Sequence, residues 1–148
     1  MYRHIFIPTD GSELAERAMT HGLSLAKSVG AKVSVVIVET PFNVYDVPEL
    51  RVQQMPEEFV TNAEQIRKHA KSVLNRAADA AELAGVSCDT IQVEHDKPYQ
   101  AIIAAAKDKG CDLIVMASHG RSGLSAALLG SVTSKVLMHT KTPVLVCH

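Results

Sequence analysis

Leu113-Ile114-Val115-Met116-Ala117 is an apolar run with no polar or turn residue inside it. A strand with one wet face alternates in polarity. An uninterrupted run of this length marks a strand buried on both faces, and such strands belong to parallel sheets covered by helices above and below. Small and polar residues follow: Ser118, His119, Gly120, Arg121, Ser122, Gly123. A Leu/Ala-rich segment comes next, and Gly130-Ser131-Val132-Thr133 then opens a second helical pattern. Strand, glycine loop and helix start together make an anion site. Glycines let backbone approach a ligand, and the free N–H groups at the helix start face the anion with the positive dipole end behind them. The stretch from Asp112 to Thr133 is expected to hold the phosphates of a nucleotide.

The rest of the chain repeats the same grammar. Residues 3–8 read as strand one, and Ser12 is an N-cap candidate after the Asp10-Gly11 turn. Leu14, Ala18, His21, Gly22, Leu25 and Val29 follow helical spacing up to a stop at Gly30. Residues 32–38 are β-branched and form strand two. The segment from Glu39 to Pro56 holds Pro41, Pro48 and Pro56, and has room for a short helix over Val47–Met55. A connection of that length is often a lid or a partner surface.

From Glu57 to Ala84 a long helix is expected, with Val60, Ala63, Ile66, Ala70, Val73, Leu74, Ala77 and Ala81 on one face. Residues 88–94 alternate in polarity, as an edge strand does. Pro98 opens a helix carrying Ile102, Ile103 and Ala106, and residues 112–117 form strand four. A last helix over Ser131–His139 is broken at Thr142-Pro143, and Val144–Cys147 is strand five. Strands alternating with helices predict an α/β sandwich with a parallel sheet in one domain spanning 1–148. Right-handed crossovers put helices on both faces. Ligands in such folds lie outside the carboxyl ends of the strands, where the winding reverses. The expected site is therefore built from Thr9 and Asp10 after strand one and from Ala117 to Gly130 after strand four.

Composition removes several classes. The net charge of −1, with signs interspersed, leaves no basic footprint for nucleic acid. The apolar runs fall short of a membrane span, and the start MYRHIFIPTDG lacks the apolar core of a signal peptide. A cytoplasmic protein is expected. Cys88, Cys111 and Cys147 are widely spaced, form no CxxC pattern and read as small hydrophobes. His21, His69, His95 and His139 show no metal-ligand spacing. Neither GxxxxGK[ST] nor a GxGxxG after strand one is present.

Individual candidates keep two readings each. Asp10 can accept from ribose hydroxyls or an adenine amino group, or it can cap the following helix. Arg121 can neutralise phosphate or stand as a solvated surface arginine, and Met116 can line a base pocket or belong to the core. His119 beside Ser118 hints at nucleophile chemistry, but no orienting third group is identifiable, so it reads as a loop histidine.

From RHIFIPTDGS at the start to HTKTPVLVCH at the end, the chain resembles single-domain universal stress proteins of the nucleotide-binding kind. The resemblance implies a five-stranded parallel sheet in the order 3-2-1-4-5 sandwiched by helices, like the adenine nucleotide alpha-hydrolases. It also implies ATP binding, with Mg²⁺ or Mn²⁺, through Gly, two residues, Gly, nine residues, Gly, then Ser or Thr. That spacing is intact in Ala117, Ser118-His119, Gly120, Arg121 to Leu129, and Gly130-Ser131, except that alanine stands at the first glycine. Carried over residue by residue, Pro8, Asp10, Val38, Met116 and Ala117 would surround adenine and ribose. Gly120, Gly130, Ser131, Val132 and Thr133 would hold the phosphates.

The family also dimerises, commonly through its last strand, which points to residues 143–147 as a homodimer edge. The implied function is a dimeric stress-response sensor or regulator. Hydrolysis of ATP would be slow at most, since no base for water and no arginine finger is evident. Two other readings remain: a docking module that has lost its nucleotide, favoured by Ala117, and a true ATPase or phosphotransferase.

Overall fold

Among the described residues, five short strands and four helices form where the hydrophobic patterns place them. The computed structural model describes residues 1–40, 57–120 and 129–148, the side chains of residues 57–62 excepted. The expected helix over Val47–Met55, residue Arg121 and the Leu/Ala-rich stretch behind it lie outside the described residues. In chain order the elements are β1 (His4–Thr9), α1 (Glu13–Val29), β2 (Lys32–Glu39), α2 (Glu57–Ala84), β3 (Cys88–Glu94), α3 (Pro98–Asp108), β4 (Leu113–Ala117), α4 (Ser131–His139) and β5 (Val144–Cys147). All strand pairs are parallel, in the order β3-β2-β1-β4-β5.

Burial follows the sequence pattern closely in the sheet. Every residue of β1 and β4 is buried, as continuous apolar runs require. The alternating β3 lies at one edge, with no residue fully buried. Side chains of opposite strand parity feed two cores. Ile5, Ile7, Val33, Val35 and Val115 pack under α1 and α2, whereas Phe6, Val36, Ile114 and Met116 pack with Ile102 and Ala106 of α3 and Val136 of α4. The crossovers therefore cover one face with α1 and α2 and the other with α3 and α4.

Two helical faces differ from expectation. On α1 the buried stripe is Ala15, Ala18, Met19, Gly22, Leu23 and Ala26, so Leu14, His21, Leu25 and Val29 lie at its margins or outside it. Small side chains let the helix approach β1 and β4, which larger residues at those positions would prevent. On α2, Ala70, Val73, Leu74, Ala77 and Ala81 are buried, but Ile66 is 52% exposed. A helix of 28 residues is about 42 Å long. A strand of 8 residues spans about 26 Å. The first turns of α2 thus extend beyond what the sheet can cover.

At the amino ends of the strands a chain of polar groups is satisfied internally. His4, 6% exposed, places Nε2 2.7 Å from Ser34 Oγ. Ser34 donates to Asp89 Oδ1 at 2.5 Å, and Lys109 Nζ donates to Asp89 Oδ2 at 2.8 Å. The Ser34 proton is committed to Asp89, so Nε2 of His4 carries the donated hydrogen. Asp112 ends its run outside β4, its carboxylate accepting the N–H groups of Arg3 and His4. Burial, then the charge of Lys32, lowers the His4 pKa against the pull of Asp89 and Asp112. For Asp89, burial pushes the carboxyl up, but the bonds from Lys109 and Ser34 outweigh it and the net shift is downward.

Both shifts have the same sign for stability. A group with a lowered folded pKa stabilises fully above its unfolded pKa, and this is lost as pH falls through the folded value. His4 should act first, below its ordinary value of 6.5, and Asp89 below 3.8. We expect the urea midpoint to fall between about pH 7 and about pH 5, and His4→Gln, which keeps the donor, to shrink that fall. An equal fall in wild type and variant would show that His4 does not control it.

Candidate functional site

The winding of the sheet reverses between β1 and β4. The loop after β1 leads to α1 on one face, while the chain after β4 reaches α4 on the other. The two connections diverge and leave a cleft of about 290 Å³ at the carboxyl ends of the strands. Part of its lining is apolar: Val36 and Val38 of β2, Met116 of β4, and Pro98 and Ile102 of α3. Part is polar: Thr9 and Asp10, His119, Gly120 and Gly130, and Ser131 and Thr133 at the start of α4. Pro8, Ala117 and Val132 also line it. Each residue expected at the site lines this one cleft, save Arg121, which lies outside the described residues.

Asp10 is held by an Asx-type contact in which Ser12 N–H donates to its Oδ1 at 2.9 Å. Ser12 in turn caps α1, its hydroxyl accepting from Ala15 N–H. Ser12, the N-cap candidate of the sequence, thus caps α1, and Asp10 lines the cleft. The start of α4 is different. Its N-cap is Gly130, which has no side chain to bond the first-turn amides. The N–H groups of Ser131, Val132 and Thr133 have no intrahelical partner by helix geometry, and these residues line the cleft.

The two glycines of the loop have identifiable reasons. A Cβ on Gly120 would collide with the Asp10 carboxylate. A Cβ on Gly130 would come within 2.9 Å of His119 Cα and 3.3 Å of the Ser118 carbonyl oxygen. Both positions are glycine because protein packs there; neither direction is open space reserved for a ligand. Gly130 N–H is also committed, donating to Ser118 O at 2.7 Å. Thr133 is buried and its hydroxyl donates to Ala117 O at 2.8 Å, so it ties α4 to the end of β4. That leaves the exposed Ser131 hydroxyl as the freer one at the cleft mouth.

Ala117 sits in β4 and is 8% exposed. Among the described residues no non-glycine has a positive φ, so the backbone there does not demand glycine. His119 lies in the loop after β4 as expected, half-buried in the cleft wall, with Nδ1 3.2 Å from Ser118 Oγ. Ala15, Val36, Pro98 and Ile102 also line the cleft without having been singled out. Their sequence signal is only that of core residues, and the missing information is which core residues stop at the sheet's end.

Cys111 is buried and Cys88 and Cys147 are half-buried; all three thiols are free. Burial, then Asp89 and Asp112, pushes the Cys111 thiol up to about 11, which disfavours the reactive thiolate. Among the described residues no helix is long and apolar enough to cross a membrane. Nor does any group of three His, Cys, Asp or Glu there form a metal cage.

The model of the Universal stress protein family matches residues 1–148. The chain is 31% identical over 147 residues to universal stress protein YxiE of Bacillus subtilis, covering 99% of each. It is 33% identical over 155 residues to universal stress protein MJ0577 of Methanocaldococcus jannaschii, covering 99% of this chain and 94% of that protein. The solved structure of MJ0577 matches with a TM-score of 0.80 at 32% identity, over 99% of this chain and 96% of that one. A universal stress protein solved in complex with cAMP matches with a TM-score of 0.71 at 26% identity, over 99% and 97%. The chain belongs to the universal stress protein family.

The contact between Gly120 and Asp10 can be tested by a double-mutant cycle. Gly120→Ala should cost about 0.5–3 kcal/mol of stability in the native background. It should cost clearly less in an Asp10→Gly background, where the colliding carboxylate is gone. Equal costs in both backgrounds would mean that the two loops do not touch as described.

Proposed function

We propose that this chain binds an adenine nucleotide, ATP with Mg²⁺ or Mn²⁺, in the cleft between the β1 and β4 loops. It would act as a homodimeric, cytoplasmic stress-response regulator. The observation that carries the reading is a single cleft that combines apolar lining with the start of α4, which begins without a side-chain cap. An apolar slot suits a base, and uncapped first-turn amides suit phosphate. Asp10 lines the same cleft, and ribose hydroxyls can donate to its carboxylate.

No three-ligand cage is present among the described residues, and Asp10 is the one carboxylate of the described cleft wall. In this reading the divalent ion is held chiefly by phosphate oxygens and water, as Mg²⁺ commonly is. The cAMP complex of a related universal stress protein supports the choice of an adenine nucleotide. For the dimer, the support is β5, an apolar outer strand whose residues are half-buried. Antiparallel pairing of residues 143–147 with a second copy would satisfy that edge and give a two-fold axis.

The test is to purify the protein without added nucleotide, denature it, and identify what is released by chromatography and mass. Stoichiometric ATP is expected. Gly130→Val, which must displace the His119 backbone, should weaken ATP–Mg²⁺ binding by about tenfold or more while the fold, checked by circular dichroism, persists. A protein that releases no nucleotide and binds no ATP–Mg²⁺ by calorimetry would instead act as a docking module.

A further inference from the structure

We propose that His119 contacts the ligand directly, donating a hydrogen bond from Nε2 to the phosphate chain. This rests on the nucleotide reading of the cleft and adds a residue to it. Three observations carry it. The first is position. The His119 backbone lies against the N-cap of α4, with Cα and Cβ 2.9 and 3.0 Å from where a Gly130 Cβ would stand. The side chain therefore leaves the backbone beside the uncapped amides.

The second is the hydrogen-bond state of its ring. Ser118 is 2% exposed. Its N–H donates to Cys147 O at 2.8 Å and its carbonyl accepts from Gly130 N–H. Among the described residues the partner of its hydroxyl is Nδ1 of His119, at 3.2 Å, and a buried hydroxyl that donates there finds an acceptor for its proton. A neutral ring that accepts at Nδ1 carries its proton on Nε2. A charged ring carries protons on both nitrogens, and Nδ1 then donates to the Ser118 oxygen. In both of these states, the tautomer in which Ser118 donates to the ring and the charged ring, Nε2 is a donor. Phosphate oxygens are acceptors, so the ring presents the matching group regardless of its charge.

The third is the open space that His119 borders. His119 borders the cleft on one side and a second hollow of about 320 Å³ on the other, lined by Glu13, Leu14, Arg17, Ser118 and His148. Arg17 there is paired with Glu13 at 3.3 Å. A core histidine would be packed on both faces. This one is oriented by a buried serine and left open toward a ligand.

The experiment is calorimetry of ATP–Mg²⁺ and of adenosine on wild type, His119→Ala and His119→Gln. A bond to a charged acceptor predicts that His119→Ala weakens ATP about tenfold or more and leaves adenosine unchanged. His119→Gln, whose amide can donate from near the Nε2 position, should recover most of the loss. Unchanged ATP affinity in His119→Ala would overturn the proposal, as would equal losses for ATP and adenosine, which would mean that the residue only shapes the loop. Wild-type protein that binds neither ligand would defeat the nucleotide reading itself, a result distinct from either of these.

Discussion

The pairing of β1 with both β2 and β4 is the constraint on which the rest of the molecule depends. β1 is buried along its whole length and lies at the centre of the sheet. The chain winds outward from it through β2 to β3, and must then cross back to lay β4 on its other side. Because parallel crossovers are right-handed, reversing the direction of winding also changes the face on which the helices lie. α1 and α2 share one core, and α3 and α4 share the other. The connections after β1 and β4 part at their carboxyl ends, and the opening cannot close while both cores stay packed.

Ser118 joins the pieces around that opening. Its N–H bonds to the end of β5, its carbonyl to the N-cap of α4, and its hydroxyl to His119. Thr133 adds a second tie from α4 to β4 through Ala117 O. The start of α4 is thereby fixed relative to the sheet before any ligand arrives. Anion binding at a helix start gains from such preorganisation, because the amides need not be ordered at the moment of binding. The glycine at 130 belongs to the same design. It lets the helix start lie against the Ser118-His119 backbone, and its lack of a side chain leaves the first-turn amides uncapped.

The two ends of the sheet handle polar groups in opposite ways. At the amino ends, His4, Ser34, Asp89 and Lys109 satisfy one another in a continuous chain, and Asp112 accepts the amides of Arg3 and His4. This chain keeps the buried His4 and Ser34 paired through to the exposed Asp89 and Lys109, and so ties the amino ends of the strands together at little net cost. At the carboxyl ends, the polar groups face a cleft, and the helix start there has no capping side chain. The first arrangement serves the fold, and the second has donors to offer a ligand.

The sequence by itself determined the element order, the burial of β1 and β4, the edge character of β3 and the loops that form the site. These are local matters: apolar continuity, alternation, helical spacing and turn residues act over a few positions, and each was legible in runs such as Leu113–Ala117 or Cys88–Glu94. It did not determine which helical stripe faces the sheet. On α1 the burial of Ala15, Ala18, Gly22 and Ala26 rather than Leu14, His21 and Leu25 depends on how closely the helix can approach β1 and β4. Nor could local pattern show that Ile66 lies where the sheet has ended, or that Val36, Pro98 and Ile102 stop at a cleft. The place of His119 in the cleft wall was not legible for the same reason. A histidine in a loop has no periodicity to read, and its place beside the start of α4 exists only once Gly130 has packed against its backbone. Contacts between residues distant in the chain are set by the joint geometry of both cores, and only the tertiary structure decides them.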